Sequence, residues 1–189
     1  MTTKASLFVI SGPSGSGKSS LISDVLKDLG NFEKSVSATT RSMRKGEKDG
    51  IQYHFISRSE FEKQVEDSSF LEWAEYSGYY YGTPKKFVED KLAAGINVIL
   101  EIEVQGAMQV MESKVCAYYI FIVTSATEEL RRRLLKRGTD SPGEIEKRMV
   151  IAEEELKHKK HYDCIIVNNN YNEALQNLKD VLLGTIGRK

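Results

Sequence analysis

The chain has 189 residues, with 27 Lys+Arg against 27 Asp+Glu and so a formal net charge of zero. No global basic field exists to recruit nucleic acid, and only local patches can matter. Hydrophobic residues make up 40% and charged residues 29%, a balance suited to one globular domain with a real core, or one with small inserts.

No run approaches the ~20 apolar residues of a membrane span, and the N-terminus has no long apolar core before a cleavage site. The expectation is a cytoplasmic protein with no membrane or nucleic-acid partner. Nothing in the sequence chooses between a monomer and a homo-oligomer. Cys116 and Cys164 are far apart and lie in or near apolar runs, so they read as buried reduced thiols. His54, His158 and His161 have no partners at zinc spacing and read as surface residues.

In chain order, residues 5–11 read as a strand, followed by the stretch "GPSGSGKSS" and a helix over 19–29. A strand follows at 34–37. Strand and helix patterns then alternate from residue 84 onward: helix 84–94, strand 97–102, helix 105–112, strand 117–123, helix 127–137, helix 141–158, strand 163–167 and helix 172–184. Ser141-Pro142-Gly143-Glu144 is a strong helix start, with Ser as N-cap and Glu three residues on. This alternation predicts an α/β fold whose parallel sheet is covered by helices. Between 41 and 83 the helical pattern thins. Residues 53–56, 70–76 and 79–81 read as short antiparallel strands and 59–67 as a short helix, so the region reads as an inserted lobe.

Gly12-x-x-x-x-Gly17-Lys18-Ser19 fits a phosphate-binding loop set between a strand and a helix. Its glycines permit a tight turn in which successive N–H groups point at phosphate oxygens. The helix N-terminus adds partial positive charge. Gly12, Pro13, Ser14, Gly15, Ser16, Gly17, Lys18, Ser19 and Ser20 therefore form the candidate nucleoside triphosphate site. Lys18 reaches the β and γ phosphates, and the Ser19 hydroxyl suits Mg²⁺. The lobe adds Arg41 and Arg44, with Tyr53 nearby. Two guanidinium forks and a phenol suit a phosphate monoester, although a solvated charged loop accounts for the arginines equally well.

The segments "GPSGSGKS", "SVSATTRSMRKGE", "FLEWAEYSGYYYGT", "ILEIEVQGA" and the late "RGT" together resemble the bacterial type of guanylate kinase, in order, over about residues 5 to 185. The resemblance implies transfer of the ATP γ-phosphoryl to GMP, giving ADP and GDP with Mg²⁺. It also implies a P-loop NTPase core (1–36, 84–126 and 159–189), a GMP-binding lobe (37–83) and a helical lid (127–158). By position, Arg41, Arg44, Tyr53 and Tyr81 would hold the GMP phosphate, and Ser37, Glu72, Thr83 and Glu103 would surround the guanine. Arg133, Arg137 and Arg148 would face the phosphates: Arg133 at ATP, Arg137 and Arg148, like Lys18 and Arg44, in catalysis. The other arginines of 129–149 read as a solvated helix face.

Chemistry agrees with Glu72. Guanine presents adjacent N1–H and N2 donors, which one carboxylate can accept, whereas adenine N1 is itself an acceptor. Glu103 stands where the family often has aspartate, and Thr83 where some members have serine. Glu101 either orients a magnesium water or is a core-edge carboxylate. Two other readings compete: a related P-loop kinase of a ribosyl phosphate, and a non-catalytic guanylate-kinase-like module that binds protein. A GTPase switch would call for an N-K-x-D base-reading motif.

Overall fold

The computed structural model describes residues 5–138 and 141–187. The first half runs β1 (Leu7–Ser11), α1 (Lys18–Asp28), β2 (Phe32–Lys34), β3 (Ala38–Thr39), β4 (His54–Phe55), α2 (Arg58–Glu66), β5 (Phe70–Tyr76), β6 (Tyr79–Pro84) and α3 (Lys85–Ala93). The second half runs β7 (Asn97–Glu101), α4 (Val104–Glu112), β8 (Tyr118–Val123), α5 (Thr127–Arg137), α6 (Pro142–Lys157), β9 (Cys164–Val167) and α7 (Tyr171–Thr185), with a 3-10 turn at His158–His161 before β9.

Five strands form a parallel sheet in the order β2-β7-β1-β8-β9. Alternate residues of β1 feed two cores, as the two-residue period of a strand demands. Phe8 and Ile10 pack with Leu21, Ile22 and Val25 of α1 and with Leu178 and Leu182 of α7. Leu7 and Val9 pack on the other face with Val88 of α3 and Ala107 and Val110 of α4. With both faces covered, the central strands are apolar throughout. Polar chemistry is pushed to their carboxyl ends, where ligands bind in open α/β sheets. There β1 runs into the glycine-rich loop, and β7, in register with Ile10 at Glu101, runs into Glu103.

The lobe is a second sheet of order β4-β3-β6-β5. Its own small core stacks Phe61 of α2 on Phe70 and Tyr80, with ring centroids 4.5 and 5.4 Å apart. The hairpin of β5 and β6 turns through Ser77 and Gly78, both at positive φ. Helix α6 opens with the expected capping box, in which Ser141 and Glu144 satisfy each other's backbone N–H groups.

Four expectations need correction. The strand expected at 53–56 pairs parallel to β3, because a loop over residues 40–53, and not a hairpin turn, joins the two. The strand expected at 34–37 stops at Lys34: the chain leaves the parallel sheet there and enters the lobe at Ala38. Cys116 is exposed and Cys164 only partly buried, both as free thiols. The first lies in the turn before β8, and the second, on the sheet's outer strand, packs only against the edge of the core. His158 is half-buried, while His54 and His161 are exposed as expected. Among the described residues no helix is long and apolar enough to cross a membrane.

Candidate active site

The loop between β1 and α1 is shaped by close approach. Gly12 has φ 143°, and a Cβ there would lie 1.9 Å from the carbonyl oxygen of Ile122 in β8. Gly17, at φ 91°, caps α1, and a Cβ on it would lie 2.4 Å from Asn168 Nδ2. A side chain at either position would collide with neighbours, one of them backbone. Asn168 in turn donates to the Ser16 carbonyl at 2.7 Å. Arg133 donates to the Asn168 carbonyl at 2.7 Å and to the Ser16 carbonyl at 3.4 Å. Thus α5 and the segment after β9 brace the loop from outside.

Lys18 is buried, and its ammonium donates to the carbonyls of Gly12 and Pro13. The Ser19 hydroxyl donates to Glu101, whose other oxygen accepts from Lys34 at 2.9 Å. Burial alone would raise the Glu101 carboxyl, but Lys34, the Ser19 hydroxyl and Lys18 outweigh it and hold it below its ordinary range. A cavity of about 160 Å³ is lined here by Pro13, Ser14, Gly15, Gly17, Lys18 and Ser19 together with Lys34 and Glu101. Ser20 lies exposed in the first turn of α1 and is not among the residues that line it.

A second cavity, of about 350 Å³, lies between the loop and the lobe. Ser37, Arg41, Arg44, Tyr53, Glu72, Tyr81 and Glu103 all line it, as do Ser14 and Ser19 of the loop and Arg148 of α6. One wall is cationic. Arg41, only 8% exposed, makes a two-pronged pair with Glu47 at 2.8 and 3.0 Å and lies over the rings of Tyr53 and Phe55. The same carboxylate accepts from the backbone N–H of Arg44 at 2.7 Å, so Glu47 sets both arginines. Burial pushes the Tyr53 phenol up to about 12, so it stays a donor at neutral pH.

Carboxylates line the same cavity. Glu72 is 5% exposed and accepts a short hydrogen bond from the Thr83 hydroxyl on the neighbouring strand. Thr83 therefore acts behind the wall, through Glu72. Burial pushes the Glu72 carboxyl up to about 7. The two hydrogen bonds from Thr83 oppose that rise, and the charge of Glu103 adds to it. Glu155 of α6, which is not among the residues that line this cavity, is 8% exposed, and burial followed by the charge of Glu103 raises its carboxyl strongly.

From the lid segment, Arg148 donates to the Ser14 hydroxyl at 3.1 Å. Arg131 and Arg132 pair with Glu146 and Glu129 on the outer surface, as a solvated face would. The side chain of Arg137 lies outside the described residues. The sequence reading missed Glu47, Lys34, Asn168 and Glu155. Glu47 ends the segment "SVSATTRSMRKGE" and could have been found there. The others carry no local signal, because their partners are 67 or more residues away or are joined only by the fold.

The guanylate kinase family model matches residues 4–184. Guanylate kinase of Desulfitobacterium hafniense (strain Y51) is 47% identical over 177 residues, covering 94% of this chain and 88% of its own. That of Listeria innocua is 45% identical over 183 residues, covering 96% and 89%. The crystal structure of guanylate kinase from Anaplasma phagocytophilum superposes with a TM-score of 0.81 at 33% identity, covering 98% of this chain and 88% of that one. Sequence and fold thus agree along nearly the whole chain: it belongs to the guanylate kinase family.

Proposed function

We propose that this chain transfers the γ-phosphoryl of ATP to GMP, giving ADP and GDP. The observation that carries the reading is one cavity lined by an arginine pair, a buried carboxylate and residues of the phosphate loop. Its volume and its few convergent polar groups suit a small ligand. Arg41, Arg44, Tyr53 and Tyr81 are assigned to the GMP phosphate, and Ser37, Glu72 and Glu103 to the guanine, with Thr83 holding Glu72. Neither a ribosyl-phosphate kinase nor a non-catalytic module draws support from the comparisons.

The loop N–H groups and Lys18 are assigned to the ATP phosphates, with Arg133 bracing the loop that holds them. Arg44, Arg137 and Arg148 supply positive charge where the transferring phosphoryl group develops it. The Lys18 ammonium lies at the loop, against the carbonyls of Gly12 and Pro13. The acceptor is a phosphate oxygen already largely ionised near neutral pH, since its second pKa is about 6. No general base is needed.

Ser19 and Glu101 offer a hydroxyl and an ionised carboxylate side by side. Among the described residues no cluster of three or more acidic, His or Cys side chains could hold a metal by itself. Both facts fit Mg²⁺, which takes one or two protein oxygens and completes its shell with water and phosphate. When bound, Mg²⁺ neutralises charge on the phosphate oxygens.

We assign 37–83 to acceptor binding, 127–158 to a lid and the remainder to the core. Closing of lobe and lid then excludes water. Within the lid, Thr139 and Asp140 lie outside the described residues. Free thiols and an ATP substrate fit the cytoplasm. The test is an ADP-release assay with ATP and Mg²⁺ against GMP, AMP, CMP and UMP. GMP should be favoured by at least ~10²-fold; equal turnover of AMP would overturn the assignment.

A further inference from the structure

Helix α4 supplies a wall of the acceptor cavity through Gly106. This glycine is the third residue of α4, in its first turn, and is not among the glycines with positive φ, so its backbone does not require glycine. Glycine is a poorer helix former than alanine, and here space explains it. A Cβ on Gly106 would lie 2.1 Å from Glu72 Oε2 and 2.9 Å from Glu72 Cδ. The Glu72 carboxylate occupies the volume that any other residue's Cβ would fill.

The helix has little room to recoil. One turn on, the Gln109 side chain donates to the Trp73 carbonyl at 2.6 Å and accepts from the Trp73 N–H at 3.2 Å. It pairs with β5 as another strand would, at the residue directly after Glu72. On the other side Thr83 holds Glu72. The carboxylate is therefore seated between β6 and α4, with α4 pinned to β5.

We propose that Gly106 is a specificity-determining position: it leaves the space that lets Glu72 present both oxygens to the base, so α4 selects the nucleobase without touching it through a side chain. This rests on the assignment of Glu72 to guanine. Gly106 is a positioning residue, acting through Glu72. A methyl there displaces only the end of a flexible side chain, so Gly106→Ala should fold. The displaced carboxylate loses a charge-assisted hydrogen bond to guanine, a fall of about 10- to 150-fold in kcat/KM for GMP.

The experiment measures kcat/KM for GMP and AMP, the KM for ATP, and Tm for wild type, Gly106→Ala, Glu72→Asp, the double variant and Glu72→Gln. The expected result is a GMP-specific loss in Gly106→Ala with the KM for ATP within about threefold. The same alanine should have a smaller effect in the Glu72→Asp background, where the shorter side chain has already withdrawn from the contested space. Losses that simply multiply, or a matching rise in the KM for ATP, overturn the proposal. Should Gly106→Ala fail to fold, the double variant decides: folding there supports competition for one space, and failure there overturns it. Glu72→Gln separates the two claims. If it leaves GMP turnover unchanged, both assignments fall; if it lowers turnover while Gly106→Ala does not, only the role of Gly106 falls.

Discussion

Lowering the pH through about 7 should erode the preference for GMP over AMP. The perturbation acts on Glu72, whose carboxyl burial pushes up to about 7. An ionised carboxylate accepts from both guanine donors. The neutral acid presents one acceptor and one O–H donor, the pattern that adenine N1 and its amine complement. At pH 8 the free protein holds about 90% of Glu72 ionised, and at pH 6 about 10%. The GMP-competent fraction thus falls about tenfold while the AMP-competent fraction rises about tenfold, so the selectivity ratio should drop by up to about 100-fold.

The assay is ADP release with GMP and AMP at pH 6 to 8, comparing kcat/KM, which reports the free protein. Taking the ratio cancels the ionisation of the phosphate, which both nucleotides share. The same shift bears on stability. The folded value lies above the ordinary 4.5, so Glu72 costs nothing well below pH 4.5. It subtracts stability progressively as the pH rises from there through about 7. GMP supplies the missing donors, so its stabilising effect on Tm should be larger at pH 8 than at pH 6. A selectivity ratio that stays constant across this range would refute the reasoning.

Lys18→Ala should cost at least ~10²-fold in kcat, the scale of one preorganised electrostatic contact, with circular dichroism unchanged. Arg44→Ala should raise the KM for GMP more than Arg148→Ala does, because Arg44 is assigned to the acceptor's own phosphate in the ground state as well as during transfer. Arg148→Ala should act mainly on kcat, because Arg148 reaches the phosphate loop from α6; steady-state kinetics of the pair distinguishes the two. Gly12→Ala should lose about 3 kcal/mol of stability, an overpacking cost against the Ile122 carbonyl. Thermal melting should show a Tm lower by roughly 6–12 °C.

Much of the core was legible because its signals are local. The apolar runs of β1, β7 and β8 mark strands buried on both faces, and Gly12 to Ser19 announces its turn by composition. The lobe was harder. Its strands β3 and β4 have two residues each, too short for a two-residue period to show, and their parallel pairing depends on a loop with no pattern of its own. At the site, Arg41 and Glu72 were legible through their chemistry and the family's signatures. What those residues lean on was not. Glu47 selects the pose of Arg41, Thr83 lies behind Glu72, and Gly106 makes room for it. Such packing relations join residues from different elements, and spacing along the chain does not record them. The cysteines show the converse: apolar neighbours in sequence suggested burial, but a turn and an outer strand left both near the surface.

The central claim is that the buried carboxylate of Glu72 chooses the base, and Glu72→Gln tests it most directly. The substitution keeps the size of the side chain, removes its charge and replaces one acceptor with a donor. The expected loss is about 2–4 kcal/mol of transition-state binding, or about a 30- to 1000-fold fall in kcat/KM for GMP. Discrimination against AMP should shrink, since the amide N–H can donate to adenine N1. GMP turnover within about threefold of wild type, with selectivity unmoved, would show that Glu72 does not read the base.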